Sequence, residues 1–182
     1  AVTAANLKSI EALTTEVLNV TSSVLTTNSA DAVTLLTKNV PDDSTAATIS
    51  GLETAAVTIS GNSTVDQINK VAGKTSGLVT ATTAAAAIGT YVDATTGASK
   101  ITESGNALHI KVNGSYKASE LLTLDGVTQG LIEAAAAPTL TGSIAEIKTI
   151  YAKAQGQTGV TAGAVDTTAD QFKGINGATI TL

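Results

Sequence analysis

The 182-residue chain has no cysteine, no methionine, no tryptophan and no arginine, only two prolines, and 2 % aromatic residues. Without cysteine there are no disulfides, no thiolate nucleophiles and no thiolate metal sites. One histidine and no cysteine leave a zinc ion only carboxylates to complete its shell. The ten basic residues are all lysine against fifteen acidic ones, a formal net charge of -5. Such a chain has neither a basic patch nor a guanidinium fork for phosphates, so nucleic acid is not an expected partner. No apolar run approaches the roughly 20 residues that a membrane span requires. The length suits one domain, 1–182, and 43 % hydrophobic residues exclude compositional disorder. With so few rings the core must come from Ile, Val, Leu and Ala, which suit thin stacked layers better than a thick centre. The chain opens on Ala rather than Met, as expected of a processed or excised product, and export with loss of a signal is one ordinary route.

What is present is a recurring pattern. Thr64–Ala81 (TVDQINKVAGKTSGLVTA) and Ser143–Ala162 (SIAEIKTIYAKAQGQTGVTA) each begin with a hydroxyl residue suited to an N-cap. Each continues with apolar residues three apart, Val65, Ile68, Val71 and Ile144, Ile147, Ile150, and leaves through glycine into a V-T-A strand. Thr168–Leu182 places Phe172 and Ile175 where Ile68 and Val71 stand and ends in the strand Ala178–Leu182. The opening segment offers Leu7, Ile10 and Leu13 before Leu18 and Val20. Weaker versions run over Ala32, Val33 and Leu36, then a turn at Pro41-Asp42-Asp43 and a strand at Ala47–Ile49, with a further strand at Thr54–Ser60. Residues 98–138 depart from the pattern. They predict a hairpin from Ile101 through Ser104-Gly105-Asn106 to Leu108, Ile110 and Val112, and helix over 118–137 that stops before Pro138.

Short helices and five-residue strands are not stable alone, so the units must stack. The expected fold is α/β, a solenoid-like stack of helix-turn-strand repeats with parallel strands, and 98–138 as a hairpin-containing insertion. The alternative is a two-layer α+β domain.

Candidate chemistry is sparse. GKTSG, Gly73–Gly77, has the look of a phosphate loop, but Ile68 stands where that loop needs glycine. The segment also leaves a helix and enters a strand, the reverse of a phosphate loop, so Lys74 is read as a turn residue. His109 alternates with Leu108, Ile110 and Val112 and is expected on a solvated face, and no G-x-S-x-G elbow presents a nucleophile for it. No catalytic, cofactor or metal residue is therefore assigned and no enzyme activity is expected. Asp42, Asp43, Asp93, Asp125, Asp166 and Asp170 offer hard oxygen ligands without a calcium-loop spacing, which admits incidental calcium at a turn and nothing dedicated. Thr80-Ala81-Thr82, Thr139-Leu140-Thr141 and Thr179-Ile180-Thr181 put paired hydroxyls on one side of a strand, the geometry for ordering water and binding ice. A glycan platform would have to draw on Tyr91, Tyr116, Tyr151 and Phe172.

The phrases at Thr64–Ala81 and Ser143–Ala162 resemble the degenerate repeats of very large bacterial surface proteins, including those of marine cyanobacteria. That resemblance covers about half of the chain. It implies export, a secreted or cell-surface location, and a structural, adhesive or motility-related role without enzyme chemistry. No polar capping unit is evident, so the two ends are expected to complement one another and stack copies head to tail into a filament or lattice. Cell-surface or glycan contact is the other partnership expected.

Overall fold

The computed structural model describes residues 2–14, 16–21, 24–39, 49–134, 138–154 and 172–182. The chain divides into two compact units, Ala1–Ala81 and Thr82–Leu182.

In the first unit the described elements are β1 (Val2–Thr3), α1 (Ala4–Glu11), β2 (Leu18–Asn19), β3 (Val24–Asn28), α2 (Ser29–Lys38), β4 (Ile49–Ser50), β5 (Ala56–Ser63), α3 (Val65–Ala72) and β6 (Val79–Thr83), the last running over the boundary. β1, β3 and β5 are adjacent and parallel, with Val2, Leu25 and Val57 in one register column and Thr3, Thr26 and Thr58 in the next. β6 follows β5 in the sheet, and β2 pairs in parallel with β4. Each helix starts on a side-chain cap that satisfies an N–H the first turn leaves open. Asn28 accepts from Asp31 N at 2.9 Å, while Thr64 and Gln67 bond each other's backbone N–H at 3.2 and 3.0 Å, a capping box. The helices turn Leu7, Ala32, Leu35, Leu36, Ile68 and Val71 onto Leu25, Val57 and Ile59, all buried.

The second unit contains β7 (Ala86–Ala87), a 3₁₀ turn at Ile88–Thr90, β8 (Ala107–Asn113), β9 (Tyr116–Lys117), α4 (Ala118–Asp125), β10 (Ile132–Ala134), β11 (Thr139–Thr141), α5 (Ile144–Ala154), β12 (Phe172–Lys173), a second 3₁₀ turn at Ile175–Gly177, and β13 (Thr179–Thr181). β8, β10 and β12 form one parallel run, with β7 also parallel on β8; β9, β11 and β13 form another. α4 packs beside α5, and an ion pair from Lys153 to Asp125 joins them. The fold is thus mixed α/β, with parallel sheets, five α-helices and no closed barrel among the described residues. In each unit helices cover a parallel sheet, which the two-layer alternative accommodates.

Several expectations are corrected. No hairpin forms at Ile101–Val112: residues 101–104 make no strand, and Asn106 bridges in parallel to Thr128. β8 is instead an interior strand with parallel neighbours, because Leu108, Ile110 and Val112 meet Ile132 and Ala134. The helix expected over 118–137 stops at Asp125. Gly126 caps it, and Ile132–Ala134 becomes β10. Phe172 lies on a strand, not a helix, since Gly174 at φ 84° turns the chain before any helix could form. Ile10 and Leu13 are 47 % and 87 % exposed, as α1 buries Ala4 and Leu7. Ile144 is likewise exposed, while Ile147 and Ile150 are buried. The turn at Pro41-Asp42-Asp43, the V-T-A strand at 160–162 and the start of the third repeat at 168–171 lie outside the described residues.

The larger correction concerns 98–138 as an insertion. Residues 55–81 align without a gap on 108–134, residue n on residue n + 53, with Gly61, Gly73, Thr75, Gly77, Leu78 and Ala81 identical in both. The geometry repeats too. Gly61 and Gly114 turn the chain at φ 76° and 84°. Gly73 N–H and Gly126 N–H close α3 and α4 on the carbonyls of Asn69 and Leu122, at 2.9 and 3.1 Å. Thr75 Oγ1 lies 2.6 Å from Ala55 O, and Thr128 Oγ1 lies 2.9 Å from Leu108 O. Each hydroxyl then accepts from the N–H two residues on, Gly77 at 3.0 Å and Gly130 at 2.9 Å. A side chain on Gly77 or Gly130 would meet the same two carbonyl oxygens at 2.3 and 2.5 Å. The strand that follows pairs back alike, Val57 N to Leu78 O at 2.9 Å and Ile110 N to Leu131 O at 2.8 Å. This buried threonine clasp holds the helix exit against the preceding strand in both copies.

Candidate functional site

With the frame common to both copies, chemistry can differ only at positions that point away from the helices. In the first copy these are Ala56, Thr58 and Ser60 on β5 and Thr80 on β6; in the second the same positions are His109, Lys111 and Asn113 on β8 and Glu133 on β10. Period-two alternation places each set on one side of its strand.

His109 was expected in solvent, yet it is 4 % exposed. The correction has a plain cause: β8 is interior and its neighbours' side chains close over it. His109 Nε2 lies 3.0 Å from Glu133 Oε2, and the other oxygen of the same carboxylate lies 3.3 Å from Lys173 Nζ on β12. Glu133 stands in register with Lys111 on one side and Lys173 on the other. His109 Nδ1 is buried with no hydrogen-bond partner. Burial pushes the imidazole's pKa below its ordinary value; Glu133 opposes that shift, while Lys111 and Lys173 add to it. For Glu133, burial works upward, but Lys173 and then His109 outweigh it and hold the carboxyl below its usual range. The cluster joins three parallel strands through one carboxylate. Neither ring nitrogen of His109 bonds a hydroxyl.

The first unit shows a different outward face. Thr3, Thr26 and Thr58 stand in register on β1, β3 and β5, all exposed, with Asn28 beside Ser60 and Val24 beside Ala56 in flanking columns. Parallel strands lie about 4.8 Å apart and advance about 3.3 Å per residue, so these side chains form an uncharged two-dimensional grid. Reading triplets within single strands picked out Thr80-Ala81-Thr82, whose threonines are half-buried, but missed this cross-strand rank, which only pairing reveals. The other two triplets are in mutual register, Thr139 with Thr179 and Thr141 with Thr181.

The remaining candidates have structural roles or fall outside the described residues. GKTSG does lie on the exit from α3 into β6, with Lys74 exposed and Thr75 in the clasp. Asp93 Oδ1 accepts from Thr95 N, Thr96 N and Thr96 Oγ1 at 3.0, 2.8 and 3.0 Å, which lowers its pKa, the Thr96 backbone bond foremost. Asp125 pairs with Lys153. Asp42, Asp43, Asp166 and Asp170 lie outside the described residues, and among those described no three acidic or histidine side chains gather into a cation site. Tyr91, Tyr116 and Phe172 are core residues, and half-buried Tyr151 donates to Ile175 O at 3.1 Å. Burial without a partner pushes the Tyr116 hydroxyl up to about 12. Among the described residues no helix is long and apolar enough to cross a membrane. The chain matches no protein-family model, no characterised protein and no solved structure.

Proposed function

We propose that this chain is a non-enzymatic structural or adhesive module of an exported bacterial surface protein, a solenoid-like stack of rungs whose copies associate head to tail. The repeated frame at 55–81 and 108–134 supports the solenoid reading, and the resemblance to large surface-protein repeats supports the location. One observation carries the association. Tyr116, Leu140 and Ile180 form a register column across β9, β11 and β13, and their exposures run 4 %, 0 % and 40 %. Leu140, with a strand on each side, is sealed; Ile180, on the outer strand among the described residues, is not.

The backbone agrees with the side chains. Thr179 N bonds Pro138 O at 2.8 Å and Thr181 O accepts from Gly142 N at 3.1 Å, so residues 179 and 181 turn their peptide groups toward β11. In a parallel ladder the intervening Ile180 must then turn its N–H and C=O to the opposite side. A strand from a second copy would satisfy those groups and bury Ile180. A head-to-tail contact of this kind uses two different surfaces, and so would extend rather than close. Sedimentation velocity across a concentration series tests this: the protein forms extended species, and Ile180→Lys abolishes them. A wild-type protein that stays monomeric at every concentration sinks the association.

A second reading, ice binding, is favoured by the in-register rank Thr3–Thr26–Thr58, an uncharged grid able to order water. It predicts thermal hysteresis that Thr58→Lys removes; no hysteresis in the wild type dismisses it.

A further inference from the structure

We propose that the His109–Glu133–Lys173 bridge is an acid-sensitive latch that holds β12 and β10 against β8 in the second unit. The argument starts from the shortness of what is held. β12 is two residues, Phe172–Lys173, and its place on β10 rests on the pairs Ile132–Phe172 and Glu133–Lys173. Phe172 is fully buried, and the Glu133 carboxylate ties Lys173 on β12 to His109 on β8. One side chain therefore fastens the last strand of this run to the second strand inward.

In the neutral state His109 donates Nε2–H to Glu133 Oε2, leaving Nδ1 as a buried lone pair without a donor. A proton arriving at Nδ1 makes a second N–H that has no acceptor, in a site shut from water. The charged groups that face it are Lys111 on its own strand, Glu133 on β10 and Lys173 on β12. Two are cations, and the one anion is already shared between His109 and Lys173. Hydration of the imidazolium requires β10 to part from β8, carrying β12 with it, and that parting opens the ladder in which Ile110 N bonds Leu131 O. The same positions of the first copy hold Ala56, Thr58 and Thr80, none of which titrates, so the first unit has no counterpart.

The sign is fixed by linkage. A folded-state histidine pKa below the ordinary 6.5 gives stability that is complete above that value and is lost as the pH falls beneath it. Glu133, also held low, adds a loss of the same sign below its ordinary 4.5. His109 is the only histidine, so its ring proton resonance can be followed by NMR without assignment ambiguity. The expected midpoint in the folded protein lies below 6.5. Hydrogen exchange, corrected for intrinsic rates, should show protection at Ile110 and Glu133, on the β8–β10 ladder, falling by up to about tenfold per pH unit below 6.5 and levelling off beneath the folded-state midpoint, while Leu25 and Val57 hold theirs. His109→Gln keeps a donor and cannot titrate, and it should flatten the response below 6.5 and above 4.5, where Glu133 begins to contribute. Glu133→Gln removes the one anion that favours the protonated ring and should carry the loss to lower pH. A midpoint at or above 6.5, or an unchanged acid response in His109→Gln, overturns the latch; should that variant fail to fold, the wild-type titration decides alone.

Discussion

Residues 55–81 and 108–134 share a frame and share almost nothing outside it. In both copies a left-handed glycine, a Gln or Glu side chain that accepts from the N–H three residues before it, a glycine at the helix exit and a buried threonine clasp recur at the same offset. Identity survives where backbone approaches backbone. Interior apolar positions exchange freely, Val57 for Ile110 and Ile68 for Leu121, because volume and side matter more than identity there. Outward positions change character altogether, from Ala, Thr and Ser to His, Lys and Asn. The comparison teaches where this chain specifies shape and where it is free to specify partners.

The sharpest way to break the comparison is at the glycine of each clasp. A β-carbon at residue 77 or 130 would sit 2.3 or 2.5 Å from a backbone carbonyl oxygen that cannot step aside. Gly77→Ala and Gly130→Ala should each cost about 2–3 kcal/mol in chemical denaturation. A change below the error of the melt in either would show that the two turns are not alike. Next come Thr75→Val and Thr128→Val, which keep shape but remove the hydroxyl. Each leaves a glycine N–H without its acceptor and should cost about 1–2 kcal/mol, with Thr128→Val the worse because its oxygen also accepts from Leu108 N at 2.9 Å. Equal losses would argue that this extra bond is not felt. Smallest of all is Thr58→Lys, which writes the second copy's residue onto the first copy's outward face. It should shift stability by no more than about 0.5 kcal/mol. That neutrality lets the same variant report cleanly on hysteresis.

Much of the frame was legible because its signals are local. Thr64 and Ser143 cap helices where a hydroxyl residue precedes an apolar period, and the GKTSG segment reads correctly as an exit turn. The two-copy relation was missed for an equally physical reason. Alternation in β8 looks like a half-exposed hairpin strand, since a sequence does not reveal that Leu108–Val112 has a neighbour on each side. The helix reading of 118–137 failed on Ala-rich content, where Gly126 and Gly130 already carried the stop. In the same way, Phe172 at helical spacing from Ile175 was ambiguous between a helix face and a strand.

The sequence by itself determined the composition of the core, the absence of thiol chemistry, and the starts of two helices at Thr64 and Ser143. These depend on residue type and on neighbours a few positions away. Only the tertiary structure decided that His109 is buried, that Glu133 reaches two strands at once, and that Thr3, Thr26 and Thr58 stand in one row. Each of those facts depends on which strands are neighbours and in what register. Parallel pairing joins segments separated by more than twenty residues, and no local rule of residue spacing encodes it.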